Sequence, residues 1–310
     1  MSLLILAMDQ RPWLTKALYG HTGPATVAER SAVADGKHMV LDGLLAALAD
    51  APALREHAAV LVDDLLGPGV PERAHAHRVT LSMPLERGGL DVYETEPADL
   101  PGFLRHHAPA LPKVLIRYNV DGDRDGNAVQ RERLAEVAAA ARDAGGRFLV
   151  EVLVPPTPAQ LAAVGGDTAA FDRHLRPELI LRAMAELSAR LPVDVWKLEH
   201  LAEVAHYRAA ADLAASTGGE CILLGANAPA ETVDGWLRDA AAGGFTGFAI
   251  GRSIWWDALR GLLSGAVTRP DAVATVAATY RRFATCFLTA AGHVASTATA
   301  GTGSAGTLTK

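Results

Sequence analysis

The chain has 310 residues, 50% of them hydrophobic and 21% charged, which excludes a wholly disordered protein and is ample for one large core. The net charge is −6 and no stripe of Lys and Arg stands out, so no nucleic-acid partner is expected. The two cysteines, Cys221 and Cys286, form no CxxC pair; a disulfide scaffold or cysteine-built zinc site is disfavoured, as in a chain from a reducing cytosol.

Short apolar runs then alternate with longer helix-type stretches. The first strand is predicted at residues 3–8. The apolar start MSLLILAM lacks the basic region and small-residue cleavage site of a signal peptide. No apolar run approaches the ~20 residues that span a bilayer, so a soluble, cytoplasmic protein without membrane contact is expected. A helix over 27–49 follows, then strands at 58–63 and 78–84, with a helix over 97–107. The remaining pattern is strand 113–119, helix 129–144, strand 148–154, helix 177–189, strand 193–199, helix 202–215, strand 220–225, helix 231–242 and strand 247–251. A last helix is predicted over 270–291.

Strand, helix, strand in repetition implies a parallel sheet, and eight such units imply a closed (β/α)8 TIM barrel. The competitor, an open doubly wound sheet, would carry a glycine-rich loop such as GxGxxG or GxxxxGK[ST], and neither is present. One barrel domain is expected over 1–294, with the Gly/Thr-rich segment 295–310 as a disordered tail.

Strand parity sorts the polar residues. In KVLIRYN, Lys113, Leu115, Arg117 and Asn119 share a face opposite to Val114, Ile116 and Tyr118, so the polar set must point into the barrel. Glu151 sits centrally in FLVEVLV, and Lys197 lies near the C-terminal end of VDVWKLE. An ionised Glu or Lys in a dry interior is costly unless paired, so one reading is a structural Glu151–Lys197 ion pair. The other is catalytic, because barrel active sites form at strand C-termini. A lysine among apolar walls and other cations would have a lowered pKa and supply the neutral amine of Schiff-base chemistry, with a carboxylate beside it to move protons.

Strand seven ends in Leu224-Gly225-Ala226-Asn227 and strand eight in Ile250-Gly251-Arg252-Ser253. Loops after these strands commonly hold phosphate on backbone N–H groups, and Arg252 would add a charged clamp. Asp9-Gln10-Arg11, ending strand one, is a candidate for substrate hydroxyls. The pairs His75/His77 and His106-His107 are read as solvated, without further ligands nearby. Asp63-Asp64 is read as a loop cap, and Trp255-Trp256 as packing of the eighth strand–helix turn or a subunit contact.

LAMDQR (6–11), KVLIRYNVDGD (113–123), RFLVEVLVP (147–155), RPELILRAMAEL (176–187), VDVWKLEHL (193–201), CILLGANA (221–228) and GFTGFAIGRSIWWDAL (244–259) together resemble the class I aldolases of the tagatose-1,6-bisphosphate type. The resemblance is closer to the 2-deoxy-5-keto-gluconate-6-phosphate aldolase domain of inositol catabolism. It implies Lys197 as the iminium-forming lysine, Glu151 as acid/base, and Asp9, Gln10, Arg11, Lys113, Arg117 and Asn119 as substrate residues. Gly225, Ala226, Gly251 and Arg252 would hold phosphate. Pro12 and Ala226 depart from the pattern, at positions that bear on the substrate's far end.

The resemblance implies cleavage of a phosphorylated keto sugar or keto acid to dihydroxyacetone phosphate and an aldehyde, without metal or cofactor, in a homo-oligomer. Tagatose bisphosphate and sulfofructose phosphate are alternative substrates, since all share one three-carbon half. A lyase or isomerase using Lys197 only as a charge, and a non-catalytic sugar-phosphate-binding protein, are the competing functions.

Overall fold

The computed structural model describes residues 1–21 and 23–300. All eight predicted strands form: β1 Leu3–Met8, β2 Ala58–Val62, β3 Thr80–Pro84, β4 Leu111–Arg117, β5 Leu149–Leu153, β6 Val195–Leu198, β7 Glu220–Leu224 and β8 Gly247–Ile250. Each pairs in parallel with the next, and β8 closes on β1, so the fold is the (β/α)8 barrel that the alternation predicts.

The helices are α1 Pro12–Tyr19, α2 Val27–Asp50, α3 Val70–Ala76, α4 Leu100–His107, α5 Arg124–Asp143, α6 Pro158–Ala163, α7 Thr168–His174, α8 Arg176–Ser188, α9 Val204–Ser216, α10 Ala230–Ala242, α11 Arg252–Leu263 and α12 Arg269–Ala300. Five of them, α1, α3, α6, α7 and α11, are absent from the sequence-based pattern. Four of these span only six to eight residues, too short for a helical period to stand out. The fifth, α11, buries Ile254, Trp255, Ala258 and Leu259, a helical spacing directly after β8. The expected boundary at 294 falls within α12, and residues 301–310 of the expected tail lie outside the described residues.

Local chemistry sets the helix starts. Thr26 and Glu29 form a capping box at α2, Thr157 and Gln160 another at α6, and Asp123 caps α5 through the Gly126 N–H. The barrel interior is filled by inward residues of alternating parity, among them Leu3, Ile5, Ala59, Leu61, Leu111, Leu149, Val195 and Ile222. The outer faces pack on the helices in a second, larger core.

Two packing details position the mouth. Gly43 of α2 lies against Val276 of α12 so closely that a Cβ would collide. The hydroxyl of Tyr280 on α12 donates to the Leu4 carbonyl of β1 at 2.9 Å, so the last helix is tied to the first strand. Among the described residues no helix is long and apolar enough to cross a membrane.

Candidate active site

The strand C-termini open on a cavity of about 450 Å³ lined from every strand except β2 and β3, and by Glu86, Gly88 and Gly89 after β3. Parity places its floor. Lys113 of β4, Glu151 of β5 and Lys197 of β6 all point inward, and Glu151 and Lys197 are direct register partners on adjacent strands. Asp9 sits one residue beyond β1, and Glu86 two beyond β3.

These groups form one buried charge cluster. Lys113 Nζ lies 2.8 Å from Asp9 Oδ2, 2.8 Å from Glu86 Oε1 and 2.9 Å from Glu151 Oε2. Lys113 donates hydrogen bonds to Asp9 and Glu86 and forms an ion pair with Glu151, so three carboxylates surround it. The same Glu151 oxygen is 2.9 Å from Lys197 Nζ. Lys197 has this one ionic partner among the described residues.

The electrostatics follow from that count. Burial alone would lower the Lys113 pKa, but Asp9, Glu151 and Glu86 outweigh it and hold the group well above its ordinary value. Burial would raise Asp9, yet Lys113, Lys197 and Arg11 hold its carboxyl well below the usual range. Burial would likewise raise Glu151, and Lys113 and Lys197 bring it below its ordinary value. Glu86 goes the other way: burial raises it, and Lys113 and Arg11 only partly offset that. Its Oε2 is buried without a protein partner, as is Gln10 Oε1.

The expected setting of Lys197 therefore needs correction. A second cation, Lys113, is indeed close, but a carboxylate lies in contact with each lysine, so the surroundings are a salt-bridged network rather than apolar walls. The structural ion-pair reading and the catalytic one predict the same contact here.

The loops after β7 and β8 bring glycine-flanked backbone and one arginine to the same cavity. Ala226 and Asn227, after β7, both have positive φ, 45° and 61°. Two successive left-handed residues that are not glycine store backbone strain in a tight turn that the Ala228 N–H closes on the Gly225 carbonyl at 3.1 Å. Close approach dictates the flanking glycines. A Cβ on Gly225 would meet Ile250 at 2.9 Å, and one on Gly251 would collide with the Ala7 carbonyl oxygen. Arg252 starts α11 beside them, half-buried, with burial lowering its pKa against the pull of Asp9 and Glu151.

Eleven of the predicted site residues line this cavity: Asp9, Gln10, Arg11, Lys113, Arg117, Glu151, Lys197, Gly225, Ala226, Gly251 and Arg252. Arg11 is already engaged, donating to the Glu86 carbonyl at 2.6 Å. Arg117 donates to the Leu90 carbonyl at 2.9 Å. Asn119 is not brought into the cavity. Its amide donates to the Pro155 carbonyl at 2.8 Å and to Gln160 Oε1 at 2.7 Å, and its Oδ1 accepts from the Asp121 N–H. The parity argument fails there because β4 ends at Arg117, and alternation does not continue into a loop.

Glu86 lies two residues beyond β3, where alternation is no guide, and so gives no parity signal in the sequence. Trp13, the second residue of α1, lines the cavity without any such signal. Glu199, in phase with Lys197, lines the cavity too, and Arg176 holds it at 2.9 Å while burial raises its pKa.

The remaining polar groups fall outside the cavity. Asp63 caps its loop as expected, accepting from the Leu66 N–H at 2.7 Å, and pairs with buried Lys37. Trp255 packs inward and donates its indole N–H to the Ala7 carbonyl at 2.9 Å. The expectation that His106 and His107 lack further ligands is corrected. Glu72 comes within 4.8 Å of both, because α3 and α4 are neighbours in space, and Asp64 lies 3.6 Å from His107.

The sequence model of a family described as "Uncharacterized protein conserved in bacteria (DUF2090)" matches residues 1–291. Comparison with curated proteins gives no match. Solved structures with the same fold include the Corynebacterium glutamicum protein Cgl0159, 18% identical, TM-score 0.57, covering 92% of this chain and 85% of its own. An archaeal fructose 1,6-bisphosphate aldolase is 13% identical, TM-score 0.58, with 92% and 93% covered. Another archaeal fructose-1,6-bisphosphate aldolase structure, whose catalytic Lys carries the carbinolamine intermediate of its substrate, is 14% identical, TM-score 0.56, with 90% and 94% covered.

Proposed function

The chain belongs to the DUF2090 family of bacterial proteins, and from that premise we propose that it is a class I aldolase acting through a lysine Schiff base. The observation that carries this reading is the unequal treatment of two buried lysines. Lys113 is locked as an ammonium by three carboxylates, whereas Lys197 shares one oxygen of one carboxylate. Glu151 touches both lysines, but once it has taken a proton Lys113 still faces Asp9 and Glu86, whereas Lys197 pairs with no other carboxylate among the described residues and is free to attack. The aldolase structures that share the fold support the same chemistry.

In this mechanism Glu151 takes a proton from Lys197, and the neutral amine attacks the ketone carbon of the substrate. Glu151 returns the proton to the carbinolamine hydroxyl, which leaves as water and yields the iminium. The iminium accepts the electron pair of the adjacent carbon–carbon bond. Glu151, now a carboxylate, takes the proton of the hydroxyl on the departing carbon, and an aldehyde leaves. Protonation of the enamine and hydrolysis of the iminium release the ketone product and restore the lysine. Lys113 and Asp9 hold Glu151 and the carbonyl end in place, and Glu86, with one oxygen free, accepts or donates a hydrogen bond at a substrate hydroxyl.

The substrate class follows from the rim. The Gly225–Asn227 and Gly251 backbone with Arg252 suits a phosphate, so the product is dihydroxyacetone phosphate and the substrate a phosphorylated keto sugar or keto acid such as 2-deoxy-5-keto-gluconate 6-phosphate. Tagatose bisphosphate and sulfofructose phosphate fit the same half. No residue in the cavity requires a metal or cofactor for these steps. Under a second reading, Lys197 is a fixed charge in a barrel lyase or isomerase, a role its 2.9 Å contact with Glu151 accommodates equally.

Borohydride reduction in the presence of dihydroxyacetone phosphate separates the two. The expected result is a reduced adduct mapped by peptide mass to Lys197 and absent from Lys197→Ala. No adduct in a folded protein that binds the ligand overturns the aldolase.

A further inference from the structure

Among the described residues no carboxylate pairs with the Arg252 guanidinium and no acceptor takes its N–H groups. It lies against Trp13, whose ring centroid is 4.4 Å from the guanidinium carbon. Trp13 is in turn set against Trp256, with centroids 4.9 Å apart and planes tilted by 52°. Arg252 and Trp256 are four residues apart on α11 and so share one face. Trp13, projecting from α1, contacts both and remains 39% exposed toward the cavity it lines.

The contact has a specific consequence. The carboxylates that pull on Arg252 are Asp9 and Glu151 on the cavity floor. A guanidinium free to swing onto them would be neutralised and lost to any ligand. An aromatic face attracts the cation through its quadrupole but brings no negative charge to compete with an incoming anion. It also covers only the flat face, leaving the five in-plane N–H donors available.

We propose that Trp13 is the positioning residue of the anion subsite, holding Arg252 charged and unpaired beside the Gly225–Asn227 and Gly251 backbone. This rests on the phosphate subsite proposed above and assigns its affinity to a residue outside it. The source of the anion, free phosphate or the phosphate of a sugar, does not alter the requirement.

Inorganic phosphate is the probe, titrated calorimetrically into the wild-type protein and into Trp13→Phe, Trp13→Leu and Arg252→Met. The expected order of affinity is wild type, then Phe, then Leu, with Leu weakened roughly 3- to 30-fold in keeping with the loss of a half-desolvated cation–π contact. Phosphate should also change the intrinsic tryptophan fluorescence of the wild type more than that of Trp13→Phe. In turnover with a phosphorylated substrate, the Leu variant's loss should fall on KM more than on kcat.

Equal phosphate affinity across the Trp13 series, with binding still lost in Arg252→Met, overturns this proposal and leaves the phosphate subsite standing. Phosphate binding unchanged in Arg252→Met overturns the subsite and the proposal together. The graded Phe and Leu pair keeps the test decisive, since both side chains are apolar and the position is partly exposed.

Discussion

Lys113 and Lys197 share a single carboxylate oxygen, Glu151 Oε2, at 2.9 Å from each nitrogen. The sharing couples the two lysines. Lys113 supplies the positive charge that keeps Glu151 ionised, and an ionised Glu151 is what can deprotonate Lys197. Removing Lys113 therefore harms both fold and chemistry. Lys113→Met leaves Asp9, Glu86 and Glu151 facing one another in a buried site. The expected loss of stability is roughly 3–5 kcal/mol, the usual cost of stranding buried charge, read as a lower urea midpoint. The same variant should give a slower-forming Lys197 adduct in borohydride trapping.

The charge cluster also fixes the pH dependence of stability. Asp9 and Glu151 have folded-state pKa values below their ordinary 3.8 and 4.5. Their contribution is present above those values and is lost as pH falls through the folded ones. Lys113 is raised above 10.5, so its contribution is full below that and is lost only at higher pH. At neutral pH Asp9→Asn should be less stable than wild type, and the gap should narrow as the pH drops below 3.8. A urea-unfolding series across that range measures it. A constant gap would show that Asp9 contributes nothing through its charge.

Glu86 has the opposite sign. Its folded pKa is raised above 4.5, so its ionisation opposes folding, increasingly as the pH rises through that window. Glu86→Gln keeps the shape and removes the charge. Its urea midpoint should approach or exceed that of wild type as pH rises above 4.5, while turnover falls because the free Oε2 is exchanged for an amide. A variant that loses stability but keeps full turnover would reverse the assignment.

The rim offers a paired test. Gly251→Ala places a methyl group against the Ala7 carbonyl oxygen and within 3.3 Å of Gln10 Nε2. The strands β8 and β1 must part there, at an expected cost of roughly 1–3 kcal/mol in stability together with weaker phosphate binding. Ala226→Gly relieves a left-handed residue at φ 45°. Its melting temperature should stay level or rise, since up to about 1 kcal/mol of strain is removed and part is returned to unfolded-chain entropy. In calorimetric melting the Gly251→Ala temperature should fall and the Ala226→Gly temperature should not.

Asn119 separates loop architecture from substrate binding. Its side chain ties the Pro155 carbonyl, Gln160 and the Asp121 N–H together beyond the end of β4. Asn119→Ala should lose about 1–3 kcal/mol of stability through the stranded partners. Its KM should remain that of wild type, checked by steady-state kinetics on a phosphorylated substrate at a temperature where the variant is folded.

The eight strands and the barrel were legible because parallel strands buried on both faces read as bounded apolar runs, and polar interruptions such as Glu151 and Lys197 stand out against them. Parity then placed Lys113, Glu151 and Lys197 together. It could not place Asn119, since alternation ends with the strand. Nor could it assign Trp13, because the turn from β1 into α1 brings that ring over Arg252 from 239 positions away in the chain. The Lys113 network was legible in its members but not in its count of contacts, which depends on side-chain reach across the barrel axis.

The bond from Tyr280 to the Leu4 carbonyl joins residues 276 positions apart. Until α12 has been made, β1 lacks this partner and the faces of α2 and α10 that α12 covers stay bare. At roughly 5–20 residues per second of synthesis, that interval is on the order of ten seconds to a minute. A nascent chain on the ribosome thus holds an unclosed sheet with an open β1 edge until β8 has been made. The barrel becomes a cooperative unit only once α12 has followed it. Substitutions at the α2–α12 contact, such as Gly43 against Val276, should therefore lower the yield of folded protein more than they lower the stability of the molecules that succeed.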